Sequence, residues 1–160
     1  MNIGMLLDKE FYGDLRVENE VQALCYAGYT VFVYCFTFDG KYKEGDYFGA
    51  KIIHMPVSKN FAYKLRGLTN TTFNFYPNYL VKLIENHIKK NNIGVFHVHD
   101  LFLFEAGLKL RELFPQIKLV GDLHENYVEG LKHYKFANTF PGKYLISIKK
   151  WEKSEIDWCN

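Results

Sequence analysis

Two polar motifs stand at the ends of apolar segments and carry residue types that bind ligands. The first is VFHVHD at 95–100, and the second is LVGDLHENY at 119–127. Buried strands do not usually finish in several imidazoles and carboxylates, because such groups need partners when they leave water. The six side chains concerned are His97, His99, Asp100, Asp122, His124 and Glu125.

An H-x-H motif followed by an aspartate is compatible with metal chemistry. Imidazole and carboxylate ligands suit zinc, iron and manganese. The longer pattern H-x-H-x-D-H is not completed, however, and barrel hydrolases that use H-x-H need a longer chain. We therefore expect no metal site, and we keep as an alternative a small metal-dependent hydrolase that uses His97, His99, Asp100 and His124.

Two other chemistries lack their motifs. No G-x-S-x-G elbow is present, and Cys25 and Cys35 fall on an apolar helix face and within a strand, so we expect both cysteines in the core. Neither G-x-G-x-x-G nor G-x-x-x-x-G-K-[ST] occurs. The sequence thus argues against a nucleophilic triad and against ordinary dinucleotide binding.

The elements that must position the two motifs alternate between strand and helix patterns. Helical spacing predicts a first helix from Val17 to a stop at Gly28, and a second after Pro77 with a cap at Asn78. A third helix is expected over 103–114, and a last one near the end of the chain. We expect a loop over 59–76. Short apolar segments predict strands at 2–7, 30–36, 50–56, 93–99 and 117–123.

This alternation predicts an α/β fold, a Rossmann-like open parallel sheet with helices on both faces. Ligands of such sheets bind beyond the carboxyl ends of the strands. The sequence therefore places His99, Asp100, His124 and Glu125 at the ligand-binding edge.

Composition limits the class of protein. The 160 residues are 48% apolar and carry a net charge of +2, which predicts one globular domain and does not indicate a nucleic-acid binder. Three widely spaced cysteines without C-x-x-C suggest a reducing compartment, so we expect a cytoplasmic protein. No segment approaches the length of a membrane span, which leaves a soluble or peripheral protein.

The residues also carry a family resemblance. The opening segment 1–34, with Asp14, Arg16, Glu20 and Gly28 in register, followed by the two polar motifs, resembles the N-terminal domain of GT-B-fold glycosyltransferases of the retaining family 4. The resemblance extends to about Trp158. It implies that 1–160 is a single domain that binds the acceptor, and that a second domain for the nucleotide-sugar lies outside this chain.

The resemblance implies a function and a site. The protein would transfer a hexose from a nucleotide-sugar to a glycan or lipid-linked acceptor with retention, without a metal or other cofactor, and the isolated chain would be inactive. His124 would act at the donor sugar. Many family members have two adjacent glycines in the first loop, whereas this chain has only Gly13. The substrate-binding residues implied are Glu10, Gly13, Asp14, Arg16, His99, Asp100 and Glu125.

Several of these residues have structural explanations as well. Asp100 could cap the helix that follows it, Asp14 and Arg16 begin the first helix, and His97 could be a core histidine. A non-catalytic sugar-binding or partner-binding module therefore remains an alternative.

Two basic and aromatic tracts, one from Lys59 to Tyr79 and one from Lys132 to Trp151, favour contact with an anionic membrane surface. In the first tract the aromatic and basic residues are Lys59, Phe61, Tyr63, Lys64, Arg66, Phe73, Phe75, Tyr76 and Tyr79.

Overall fold

The computed structural model of the chain describes residues 1–60, 62, 66, 74–123 and 125–159. Its centre is a six-stranded sheet in the order β3-β4-β2-β1-β5-β6. Five strands are parallel, and β3 pairs with β4 in the antiparallel direction. The strands are β1 Asn2–Leu6, β2 Thr30–Thr37, β3 Lys43–Tyr47, β4 Ala50–Pro56, β5 Val95–His99 and β6 Lys118–Asp122.

Helices cover both faces of the sheet, as the sequence predicts. One face packs against α1, and its core includes Val17, Val21 and Val33. The opposite face packs against α2 and α3, and its core includes Leu80, Phe96 and Leu110. The described helices are α1 Leu15–Tyr26, α2 Phe75–Lys90, α3 Phe104–Leu113, α4 Tyr127–His133, α5 Lys135–Asn138, α6 Gly142–Leu145 and α7 Ile148–Cys159.

Helix α1 begins and ends where its sequence predicts. Asp14 is the N-cap, and its side chain accepts a hydrogen bond from the backbone N–H of Val17 at 3.4 Å. Gly13 just before the cap has φ +97°, and Gly28 just after the helix has φ +84°. Both are left-handed conformations that favour glycine, so these two residues fix the turns that bring β1 into α1 and α1 into β2.

Two expectations about the elements were wrong. Strand β3 was missed because its sequence, KEGDY, is charged and exposed, as suits an antiparallel strand at the edge of a sheet. Helix α2 begins at Phe75 after Asn74 rather than at the cap predicted at Asn78. The helix predicted over 103–114 is confirmed as α3, Phe104–Leu113, and a 3₁₀ turn over Leu101–Leu103 precedes it.

The C-terminal segment packs into the hydrophobic core, and its last helix, α7, confirms the helix predicted near the end of the chain. It divides into the short helices α4 to α6 and the longer α7. Trp151 is fully buried and packs edge-on against Tyr127 with ring centroids 5.0 Å apart, so it belongs to the core and not to a surface tract. Within the described part of the chain, no helix has both the length and the apolar character that a membrane span requires.

Strand β6 contacts α3 so closely that one position tolerates no side chain. A Cβ added at Gly121 would lie 1.8 Å from Cε2 of Phe104, whereas a Cβ at Gly130 in α4 would meet nothing within 4 Å. We expect Gly121→Ala to lower the free energy of unfolding by about 1–3 kcal/mol through overpacking. Gly130→Ala should be neutral or stabilise by up to about 1 kcal/mol, because alanine favours the helix. Urea denaturation of both variants checks this, and equal stabilities would contradict the packing described.

Candidate functional site

The order of the strands places a candidate site at one point of the sheet. From β1 the chain moves to β2 and β4 on one side, and later to β5 and β6 on the other. The connection reverses direction between β1 and β5, which is where open α/β sheets form a crevice beyond their carboxyl ends. The loop with Gly13, the first turns of α1 and the end of β5 at His99 all meet there.

Arg16 is the central charged group at this point. Its guanidinium forms an ion pair with Asp122 at the end of β6, and its Nη2 atom lies 3.6 Å from Oδ2 of Asp14. Its Nη1 atom lies 3.3 Å from Nδ1 of His99. Lys9 forms a second ion pair with Asp14 at 2.7 Å. Arg16 therefore joins the start of α1 to the ends of β5 and β6.

His99 is fully buried at the end of β5. Its Nδ1 atom lies 3.5 Å from Oδ2 of Asp122, its pairing partner on β6. Burial, together with the neighbouring His97 and the positive charge of Arg16, lowers the pKa of His99 to about 3, although Asp122 opposes the shift. The imidazole is therefore neutral at physiological pH.

His97 and Glu20 adjoin His99 on the α1 face of the sheet. The two imidazole rings have centroids 4.2 Å apart. Oε2 of Glu20 lies 3.7 Å from Nε2 of His99 and 4.0 Å from Nδ1 of His97. Burial also lowers the pKa of His97, which is half-buried. Among the described residues, these three form the cluster whose ligand atoms are close enough to share a metal ion.

Asp8 follows β1 and forms a buried polar network on the opposite face. Its carboxylate accepts a hydrogen bond from the hydroxyl of Tyr76 at 3.0 Å and forms an ion pair with Arg66 at 3.3 Å. Burial raises the pKa of Asp8 despite the opposing charge of Arg66. The guanidinium of Arg66 lies over the ring of Phe102, 4.6 Å from its centroid. Arg66 is thereby held at the mouth of a pocket.

That pocket is enclosed by α4 and the residues before it. It has a volume of about 210 Å³ and is lined by Arg66, Glu125, Asn126, Tyr127, Gly130, Leu131 and Tyr134. A second, shallower depression lies over the first loop and is lined by Lys9, Glu10, Tyr12, Gly13, Asp14, Leu15, Phe38 and Lys59. The carboxyl edge of the sheet therefore offers two recesses with polar and aromatic walls.

The structure distributes the predicted site residues over these features. Asp14, Arg16 and His99 lie together at the switch point. Glu10 and Gly13 line the shallow depression, and Glu125 lines the pocket beside α4.

Asp100 has φ +78° and precedes the 3₁₀ turn, but its side chain makes no capping hydrogen bond, so the suggestion that it caps the helix was wrong. His124 lies outside the described residues, as do Phe61, Tyr63, Lys64 and Phe73 of the first basic and aromatic tract.

Two residues of the site were not assigned from the sequence. Glu20 stands four residues after Arg16, and both lie on the side of α1 that faces the sheet, beside the buried Val17 and Val21. The sequence did contain a signal for Glu20, because Arg16 and Glu20 are charged residues next to the apolar positions of the helix face that is buried. Asp122 ends the second motif and pairs with Arg16, but only the tertiary structure brings it to helix α1.

The arrangement suits the binding and orientation of a polar ligand. The charge of Arg16 is compensated by Asp14 and Asp122, so this cluster is not a net cationic anchor for phosphate. The carboxylates that line the two recesses, Glu10, Asp14 and Glu125, are hydrogen-bonding groups for hydroxyl-rich substrates, whereas the imidazole of His99 is fully buried.

The family of the chain follows from comparison with known families. The family model described as Glycosyltransferase Family 4 matches residues 15–159, which is most of the chain. The chain belongs to Glycosyltransferase Family 4. The resemblance seen in the sequence is thereby confirmed. A search of curated proteins finds no significant match.

Solved structures show the same fold. Sucrose-phosphate synthase from Thermosynechococcus elongatus superposes with a TM-score of 0.63 at 12% identity, over 99% of this chain and 40% of that one. A second structure of that synthase gives a TM-score of 0.58 at 14% identity, over 82% of this chain and 68% of that one.

A structure titled OtsA in its apo form gives a TM-score of 0.51 at 14% identity, over 78% of this chain and 33% of that one. This family 4 chain thus has a Rossmann-like GT-B domain and spans about 40% of the length of the full synthase chain.

The role of Arg16 in joining α1 to the sheet can be measured through stability. Arg16→Met removes hydrogen bonds to a partly buried carboxylate and leaves Asp14 and Asp122 without their shared cation. We expect a loss of about 1–3 kcal/mol in the free energy of unfolding. Lys51→Met, which breaks the exposed Lys51–Asp46 pair, is the control and should cost less than about 1 kcal/mol. Chemical denaturation compares the two, and equal losses would show that Arg16 does not join these elements.

Proposed function

We propose that this family 4 chain is the acceptor-binding domain of a glycosyltransferase that moves a hexose from a nucleotide-sugar to a glycan or lipid-linked acceptor with retention. The observation that carries the proposal is the family match over residues 15–159. The polar groups at the switch point of the sheet support it, because that is where an α/β domain binds its ligand.

The pocket beside α4 is the proposed acceptor site. Glu125 lines this pocket and comes directly after His124 in the chain. Arg66, held by Asp8 and stacked on Phe102, supplies donors for acceptor hydroxyl or phosphate oxygens. The aromatic residues Tyr127 and Tyr134 provide apolar surface for a sugar ring.

Catalysis in this proposal rests on positioning and electrostatics. A donor held by a second domain would meet the acceptor over the carboxyl edge of this sheet, where water is excluded when the two domains close. His124 would contact the donor sugar at that edge. The loop that carries it begins at Asp122, which the ion pair with Arg16 anchors. No covalent intermediate with the chain is required.

Contact with a membrane is the finer part of the proposal and fits a lipid-linked acceptor. Phe140 and Tyr144 in the second basic and aromatic tract are about four-fifths and three-quarters exposed. The ammonium of Lys143 lies 4.8 Å from the centroid of the Tyr144 ring. Exposed rings beside basic groups are the composition of segments that lie at an anionic lipid surface, which would place the protein at the inner face of a cytoplasmic membrane.

The proposal is tested by replacing His124 in the full-length protein. We expect His124→Ala to lower kcat by about 10² or more, because a group that acts at the reacting sugar stabilises the transition state. His133→Ala, at an exposed histidine of α4, is the control and should leave turnover unchanged. Release of nucleoside diphosphate from uridine and guanosine diphosphate sugars measures the rate. A variant with unchanged turnover, or one that only melts earlier, would remove His124 from the mechanism.

The proposal that the donor and the acceptor bind to different domains gives a second test. If the donor binds mainly to another domain, these 160 residues should bind uridine or guanosine diphosphate sugars only with a Kd of about 1 mM or weaker. Calorimetry with the purified chain measures this, and thermal unfolding confirms that the protein is folded. Micromolar affinity for any of these donors would place the donor site on this domain and contradict the proposal. If the 160-residue chain binds glycans and the full-length protein catalyses no transfer, the alternative of a non-catalytic binding module is supported instead.

A further inference from the structure

A cluster on the α1 face lies beneath the proposed transfer site and is not used by it. The cluster consists of Glu20 on α1 and of His97 and His99 on β5. We infer that Glu20, His97 and His99 form a binding site for a divalent transition-metal ion of the zinc class. This inference concerns residues outside the proposed acceptor pocket and does not depend on the transferase activity.

The spacing of the ligand atoms supports a three-residue site. Two imidazole nitrogens and one carboxylate oxygen lie within 4.8 Å of one another. Ligand atoms around a four-coordinate zinc stand about 3.3 Å apart, since each bond is about 2.0–2.2 Å long. The separations of Oε2 of Glu20 from the two imidazoles, 3.7 and 4.0 Å, need only small side-chain rotations to reach that value.

The buried imidazole of His99 provides the second argument. Its Nε2 atom is shielded from solvent and has no hydrogen-bond partner among the residues that the structure describes. When Nδ1 donates its hydrogen to Asp122, 3.5 Å away, Nε2 presents a lone pair toward a carboxylate oxygen of Glu20. The Nη1 atom of Arg16, which can only donate, lies 3.3 Å from the same Nδ1, so without an ion the hydrogen is carried on Nε2, facing Glu20. A cation that binds Nε2 displaces this hydrogen, and Nδ1 then carries one toward Asp122. The contact with Asp122 is also the carboxylate–histidine pairing that orients metal-binding imidazoles.

The surroundings of the cluster allow a metal ion to reach it from solvent and to bind a water molecule as a further ligand. Glu20 and His97 border an apolar groove of about 360 Å³ whose other walls are Ile3, Ala23, Leu24, Val95 and Val120. The positive charge of Arg16 is compensated by Asp14 and Asp122, which reduces its repulsion of a cation bound at the cluster. The sequence-based expectation of no metal came from an incomplete H-x-H-x-D-H pattern. In the structure the third ligand comes from a helix, and Asp100 is not part of the cluster.

The test uses purified protein stripped with a chelator and then titrated with Zn²⁺ in a calorimeter. We expect one ion per chain with a Kd of about 1 μM or tighter. His97→Ala and Glu20→Gln should each weaken binding by about 100-fold or more. Both side chains are partly exposed, so these variants are expected to fold, and circular dichroism verifies it. Titration with Co²⁺ should give the intense visible absorption of a four-coordinate site in the wild type only.

The matched control is His133→Ala. His133 stands 3.8 Å from Glu129 on α4, which makes an imidazole–carboxylate pair without a second histidine. Zinc binding should be unchanged in this variant.

The inference is overturned if the wild type binds no zinc or binds it only at millimolar concentration. Affinity that is insensitive to His97 and Glu20 would overturn it equally. So would an NMR signal showing that Nε2 of His99 carries a hydrogen in the presence of excess zinc, because that tautomer donates to Glu20 and leaves no ligand.

Discussion

The ion pair between Arg16 and Asp122 is the interaction on which the candidate site depends. Arg16 lies in the first turn of α1, and Asp122 ends β6, so the pair joins two elements more than 100 residues apart in the chain. Asp14 and His99 complete the contacts of the guanidinium. Because both charges are only partly exposed, the pair is shielded from solvent more than a surface salt bridge, and losing one partner leaves the other poorly solvated.

This pair gains its importance from the topology of the sheet. β1 lies between β2 and β5, and α1 must cross the sheet at the point where the chain reverses direction. Arg16, in the first turn of α1, is therefore brought to the carboxyl ends of β5 and β6, whereas Glu18 of the same turn accepts a hydrogen bond from Tyr47 of β3. The same geometry sends Asp8, which follows β1, to the opposite face, where it holds Arg66 beside the pocket next to α4. One strand thus organises polar networks on both faces.

Sequence reasoning recovered the parts of the fold that depend on local pattern. The parallel strands, helix α1 with its stop at Gly28, and the position of His99 at the carboxyl edge of the sheet all follow from periodicity and end signals. Strand β3 could not be predicted, because it is held by pairing with β4 and not by apolar residues of its own. Glu20 and Asp122 were not assigned for a related reason. Their roles arise from contacts that join α1 to β5 and β6.

The histidines at the end of β5 can support the candidate site by holding its charged residues in place, without contacting a substrate themselves. His99 is fully buried and its ring faces Glu20 and Asp122, so it acts on the edge of the sheet through its neighbours. Asp122 accepts from Arg16 and faces His99, and it immediately precedes the loop that carries His124. A resident cation at Glu20, His97 and His99 would orient the imidazole toward Asp122 and so stiffen the start of that loop. The polar ends of the two strands are then one unit, in which His99 at the end of β5 and Arg16 of α1 both contact Asp122 at the end of β6.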